Sequence, residues 1–138
     1  MADVLLDTDV LIDHLRGYRP LEIGTHMSFS VITRTEVYAG HERGEPVVQA
    51  TLEQMQELNV NPEIARRAGR IKRDAGLKIA DALIAATALE HQLPLMTRNR
   101  RHFERVAGLT MHKPPDQPQP ETAGDPTAAT EARPAPQD

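Results

Sequence analysis

The 138-residue chain contains no cysteine and no tryptophan. Disulfides, thiolate metal centres and thiol nucleophiles are thereby excluded from its chemistry. Only two Tyr and two Phe are present, so stacking of bases on aromatic rings has little to work with. No apolar run of about eighteen residues occurs, which argues against a membrane span. The N-terminal stretch carries Asp3, reads as a strand from Val4 and has no basic leader, so a signal peptide is not expected. These absences predict a soluble, cytoplasmic protein with no membrane partner.

Charge of one sign is not in large excess either. The net charge of -4 divides unevenly along the chain. Residues 113–138 hold two of the 16 bases and five of the 20 acids, which leaves fourteen and fifteen for residues 1–112. A near-neutral domain can still carry segregated patches, so position must decide what the charges do. Seven of the eleven prolines fall between Pro114 and Pro136, amid Ala, Thr, Gln and acids. That composition has no apolar periodicity and cannot bury enough surface to offset its ordering entropy. The expectation is one folded domain over residues 1–113 and a Pro-rich disordered tail over 114–138.

Within the domain, short apolar runs alternate with helical patterns. VLL (4–6), MSFSV (27–31), LPLMT (93–97) and LTM (109–111) read as strands, with LNV (58–60) a further short one. Helices are expected over 9–16, from about 31 to between Gly40 and Gly44, and over 47–57. Others are expected from Pro62 through RRAGRIKRDAG, across the Ala-rich KIADALIAATALEHQ, and in RRHFERV. Pro62 suits a first helical turn, and Pro94 suits the start of a strand, where a missing donor is tolerated. The alternation predicts an α/β fold, a three-layer α/β/α sandwich with a central, mainly parallel sheet.

Against this frame the stretch VLLDTDVLID stands out, because Asp7, Asp9 and Asp13 interrupt an apolar run. Ligands of open parallel sheets bind outside the carboxyl ends of the strands, which is where Asp7 should stand. Helix capping would account equally well for Asp7 or Asp9, and Asp13 reads as a solvated helical residue. Asp81 shares a helical face with Ile84, Ala85 and Ala88, so it enters the edge of a core and needs a partner, an arginine being the simplest. Glu36 shares its face with Ile32, Ala39 and Gly40, while Thr33 and Glu36 also fit a capping box. Two carboxylates about 5 Å apart repel by roughly 3 kcal/mol at an effective dielectric near 20. Three converging acids would therefore call for a hard divalent cation, and an all-oxygen site suits Mg²⁺ or Mn²⁺.

Four segments in order, LLDTDVLID, SVITRTEVYAG, IADALIAATALEHQLPLMTRN and HFERVAGL, resemble the PIN-domain ribonucleases. The resemblance is in particular to the VapC toxins of VapBC toxin–antitoxin pairs, and it covers about residues 3–112. It implies a PIN-like sandwich, metal-dependent hydrolysis of RNA phosphodiester bonds, Mg²⁺ as cofactor with Mn²⁺ able to substitute, a VapB-like antitoxin and a homodimer. By the same resemblance Asp7, Glu36 and Asp81 are the metal-holding and catalytic acids. Many members add a fourth acid after the LMT strand, whereas this chain has TRNRRHF. Asn99 and His102 stand there instead, so Asn99 becomes a candidate amide-oxygen donor, Thr97 a candidate for positioning water and Asp9 an outer carboxylate. The other five histidines show no ligand spacing.

The arginines divide into two groups. Arg66, Arg67, Arg70, Lys72, Arg73 and Lys78 lie along one helix and its exit, where a solvated face is as good a reading as a polyanion surface. Arg98, Arg100, Arg101 and Arg105 follow the strand beside the acids, and Arg98, Arg100 and Arg101 are the candidates for RNA contact. Rival readings remain open at this point. A haloacid-dehalogenase-type phosphatase also begins strand-Asp-x-Asp, but Leu11 stands where it needs Thr or Val. A receiver domain would need a lysine closing a last strand, and none is evident. A PIN-like module that binds RNA and antitoxin without cutting is the alternative that the missing fourth acid suggests.

Overall fold

The computed structural model describes residues 3–40 and 44–115. Five short strands form its sheet: β1 (Val4–Leu6), β2 (Met27–Ser30), β3 (Gln56–Leu58), β4 (Leu95–Met96) and β5 (Met111–His112). Their spatial order is β3-β2-β1-β4-β5, and every pairing is parallel. Six helices connect them: α1 (Thr8–Leu15), α2 (Val31–Gly40), α3 (Glu45–Leu52), α4 (Pro62–Ala75), α5 (Ile79–Glu90) and α6 (Arg100–Phe103). The α/β class and the parallel sheet read from the sequence are thus present, and the segment 116–138 lies outside the described residues.

Strand alternation divides the core in two. Leu5 and Leu95 join Ile64, Ala68, Ile84 and Ala85 of α4 and α5 on one face. Val4, Leu6, Met27 and Phe29 join Val10, Leu11, Val37, Val48 and Leu52 from α1, α2 and α3 on the other. Period-2 side chains in β1 therefore serve both layers, and all three of its residues are buried. Each fully buried Leu or Phe contributes roughly 1.5–3 kcal/mol of transfer free energy. The small residues Ala82, Ala85, Ala86 and Ala88 are buried along α5, which lets α4 pack closely against it. The α4 helix starts where expected: the Asn61 side chain accepts a 2.8 Å bond from the Ile64 N–H, and Pro62 occupies the first turn.

Several boundaries differ from the sequence reading: α6 stops at Phe103 rather than continuing through RRHFERV, β4 is Leu95–Met96 rather than 93–97, and β5 is Met111–His112 rather than 109–111. Helix α3 covers Glu45–Leu52 rather than 47–57, and the following strand is Gln56–Leu58 rather than 58–60. Pairing with β2 decides both, through the register Ser28↔Gln56, Phe29↔Glu57 and Ser30↔Leu58. Glu57 is further held by a bidentate pair with Arg34, two contacts of 2.8 Å. Sheet hydrogen bonds and that ion pair recruit residues whose own pattern continues a helix.

Candidate active site

In the order β3-β2-β1-β4-β5, the chain leaves β1 toward one side for β2 and β3 and returns on the other side for β4 and β5. The reversal opens a crevice at the carboxyl ends of β1 and β4, the usual ligand position in such sheets. Asp7 follows β1 there, its backbone N–H donating to the Met96 carbonyl at 2.9 Å. It is also the N-cap of α1, its Oδ1 accepting from the Thr8 N–H at 2.8 Å. Capping and site placement, which the sequence posed as alternatives, coincide in this residue. Its Oδ2 accepts a 2.7 Å bond from Thr97 Oγ1, and Thr97 closes β4 fully buried.

Glu36 reaches the crevice from α2. No capping box forms, because Thr33 lies within α2 and its hydroxyl meets Thr8 Oγ1 at 2.9 Å. Ser30 fills the capping position instead, accepting from the Ile32 N–H at 3.0 Å. Thr8 Oγ1 donates to Glu36 Oε1 at 2.6 Å, so one hydroxyl ties α1 to α2 at the mouth of the site. Asp81 enters from the first turn of α5, and its partner is His102 Nε2 at 2.8 Å rather than an arginine.

One cavity of about 370 Å³ is lined by Asp7, Asp9, Glu36, Asp81, Asn99 and His102, together with Thr8, Ile12 and Lys78. The three acids read from the sequence therefore face a common space. Among the described residues, however, no three acidic or imidazole groups are placed to enclose a single ion, each acid having its own protein partner. The electrostatics show what is missing. Burial and then the neighbouring Asp9 charge, with Asp81 adding to it, push the Asp7 carboxyl up to about 7, against the Thr97 and Thr8 hydrogen bonds. Burial likewise raises Asp9, whose Oδ1 is buried without a hydrogen-bond partner. Four carboxylates, one with an orphaned oxygen, face a single lysine in this cavity, and such an oxygen-rich donor set fits a hard divalent ion.

The remaining sequence candidates fall in different places. Asn99 lines the cavity, exposed, its backbone N–H donating to Thr97 Oγ1 at 3.0 Å. Arg100 and Arg101 are exposed. Arg98 turns inward: its Nε lies 2.7 Å from Asp13 Oδ2, although without the alignment of a hydrogen bond. Asp13 is accordingly an ion-pair partner, with Arg19 at 3.8 Å as well, and not the solvated residue expected. The first arginine group is also largely spoken for, since Arg66 pairs with Glu63, Arg67 with Glu90 and Arg73 with Asp74. Sequence reasoning missed Thr8 and assigned Lys78 to the α4 surface. A hydroxyl bonded to an acid 28 positions away leaves no spacing pattern to find.

A fold of this order with acids at its switch point is matched by known proteins. The PIN-domain profile fits residues 4–109. The chain belongs to the PIN-domain family, a class of proteins whose nucleases are generally divalent-metal dependent. Within that family it is similar to ribonuclease VapC1 of Methanocaldococcus jannaschii, 34% identical over 112 residues that cover 76% of this chain and 82% of that one. It is also similar to ribonuclease VapC19 of Mycobacterium tuberculosis, 33% identical over 76% of this chain and 95% of the relative. Among solved structures, a toxin–antitoxin complex from Klebsiella pneumoniae superposes with a TM-score of 0.70 at 32% identity, covering 80% of this chain and 99% of that one. The DNA-bound VapBC of Salmonella typhimurium gives 0.67 at 26% identity, covering 82% and 98%.

Proposed function

We propose that the protein cuts RNA with Asp7, Glu36 and Asp81 as the carboxylates that hold a Mg²⁺ ion, Mn²⁺ substituting, and Asn99 as a further oxygen donor. It is a VapC-type endoribonuclease, the toxin of a type II toxin–antitoxin pair, with a VapB-like antitoxin, a second copy of itself and RNA as its partners in the cytoplasm. The observation that carries the site assignment is the common cavity: Asp7 just after β1, Glu36 of α2 and Asp81 of α5 face one space, and burial pushes the Asp7 carboxyl up to about 7.

When bound, the ion supplies Lewis-acid polarisation of the phosphoryl group and a more acidic water. The chain's own residues do the rest. Thr97 and the Thr8 N–H fix both oxygens of Asp7, and Thr8 Oγ1 holds Glu36 toward the cavity. His102 Nε2 lies 2.8 Å from Asp81 Oδ2 and would orient that carboxylate toward the ion. Water adds to phosphorus and the P–O3′ bond breaks, leaving a 3′-hydroxyl and a 5′-phosphate.

The test uses purified protein and a structured RNA. Cleavage requires Mg²⁺ or Mn²⁺, stops with EDTA and leaves 5′-phosphate ends. Asp81→Asn abolishes cutting while its circular dichroism matches that of the parent. Normal cutting by that variant overturns the assignment, and a parent that binds RNA but never cuts it establishes the non-catalytic alternative.

A further inference from the structure

Three cavities adjoin in series on the surface. The carboxylate cavity shares Asn99 and His102 with a second one, also about 370 Å³, set between α6 and the Gly76–Leu77 link that joins α4 to α5. The second shares Ala75 and Arg105 with a third of about 270 Å³, bounded by Arg70 and Leu89. The chemistry changes along this line, from acids at one end to arginines at the other.

Charge pairing decides which arginines are available. Arg67 also lines the third cavity but is held by Glu90 at 2.6 Å. Arg98 is held by Asp13, and Arg100 lines none of the three. Among the described residues, Arg101, Arg105 and Arg70 are exposed, face these cavities and make no ion pair. Asp74 is the acid in the third cavity, and it forms an exposed pair with Arg73 at 3.1 Å. Glu104 lines the second.

We infer that a single RNA strand leaves the carboxylate cavity along this channel, its phosphates held in turn by Arg101, Arg105 and Arg70. The inference rests on the ribonuclease reading above and gives its substrate a direction across the surface. Guanidinium forks match phosphate oxygens bidentately, and successive phosphates of one strand can occupy successive concavities. Among the described residues no Phe, Tyr or Trp lines the channel, so contact is with the backbone and carries little base preference. A strand cut in the first cavity must extend into the other two to be held, so short substrates bind weakly.

The test measures cleavage and fluorescence anisotropy with a 5′-labelled, unstructured 12-nucleotide RNA of mixed sequence. Arg105→Ala and Arg70→Ala each raise KM about five- to tenfold, with kcat within about twofold, and lower the salt slope of binding by about 1. Arg66→Ala, which alters an ion-paired arginine outside the channel, binds and cuts like the parent. Unchanged KM and salt slope in both channel variants overturn the inference while leaving the nuclease reading intact. Variants that keep RNA binding but lose the antitoxin overturn it in favour of a protein partner. If the parent cuts no RNA with either metal, the nuclease reading fails, and anisotropy alone then reads the channel: weaker binding in the variants supports it, and no binding by the parent overturns it.

Discussion

Asp7 concentrates the cost of the site in one side chain. It is only 6% exposed, and its carboxyl titrates near 7 rather than at the usual 3.8. Because the folded value lies above the unfolded one, this group's contribution to stability is fully present below about pH 4 and is lost as pH rises through about 7. Metal-free protein should therefore melt lower at pH 8 than at pH 5 on this account. Asp7→Asn should raise the metal-free melting temperature at pH 8 by about 5 °C or more while abolishing cleavage, and calorimetry across pH checks it. A variant that melts lower than the parent at pH 8 would show that Asp7 is not a destabilising charge. Thr97→Val removes a donor from a buried carboxylate, an interaction of roughly 1.5–3 kcal/mol. It should raise Asp7 further, shift the onset of activity to higher pH and increase the Mn²⁺ concentration for half-maximal cleavage about tenfold or more. Asp7, Glu36 and Asp81 were candidates in the sequence because charge in an apolar pattern is costly, but the pattern left capping open for Asp7 and Glu36, and the family resemblance singled out the three together. Thr8 was not a candidate, since a hydroxyl at the start of α1 looks the same whether it meets solvent or Glu36.

At the scale of elements, local signals located helices better than strands. Pro62, the Asn61 cap and the left-handed Gly76 at φ 74° bracket α4, and the helix runs between them. Asn61→Ala should cost about 1 kcal/mol of stability without changing kcat, as denaturant unfolding beside an RNA assay would show. The strands are two to four residues long, too short for periodicity to set their ends. Where α3 stops and β3 begins follows from pairing with β2 and from the Arg34–Glu57 contact, both of which join segments more than twenty positions apart. The same non-local pairing changed the meaning of α4's arginines. Arg67 spans from α4 to Glu90 on α5, so part of an apparently basic face serves to dock two helices. Arg70 remains outward among the described residues.

For the whole molecule, the sheet order is what turns scattered acids into a site. β1 sits at the centre with β2 and β4 on either side, and the carboxyl ends of β1 and β4 bound the crevice that Asp7 lines, with the buried Thr97 hydroxyl bonded to it from behind. Residues 116–138 hold no Val, Ile, Leu, Met or aromatic residue with which to add to a core. A chain ending at Pro115 should melt within about 2 °C of the full chain, checked by thermal denaturation of the two side by side; a larger drop would mean that the segment contributes to folding. The sequence by itself determined the class of fold, the order of its elements and which carboxylates are out of place, because periodicity, composition and misplaced charge are all written locally. Only the tertiary structure decided that Asp81 meets His102, that Thr8 bridges to Glu36, that Arg98 turns inward to Asp13 and that three arginines line up beyond the acids. Those are choices of partner across distant segments, and packing makes them by bringing together side chains whose separation in sequence carries no signal.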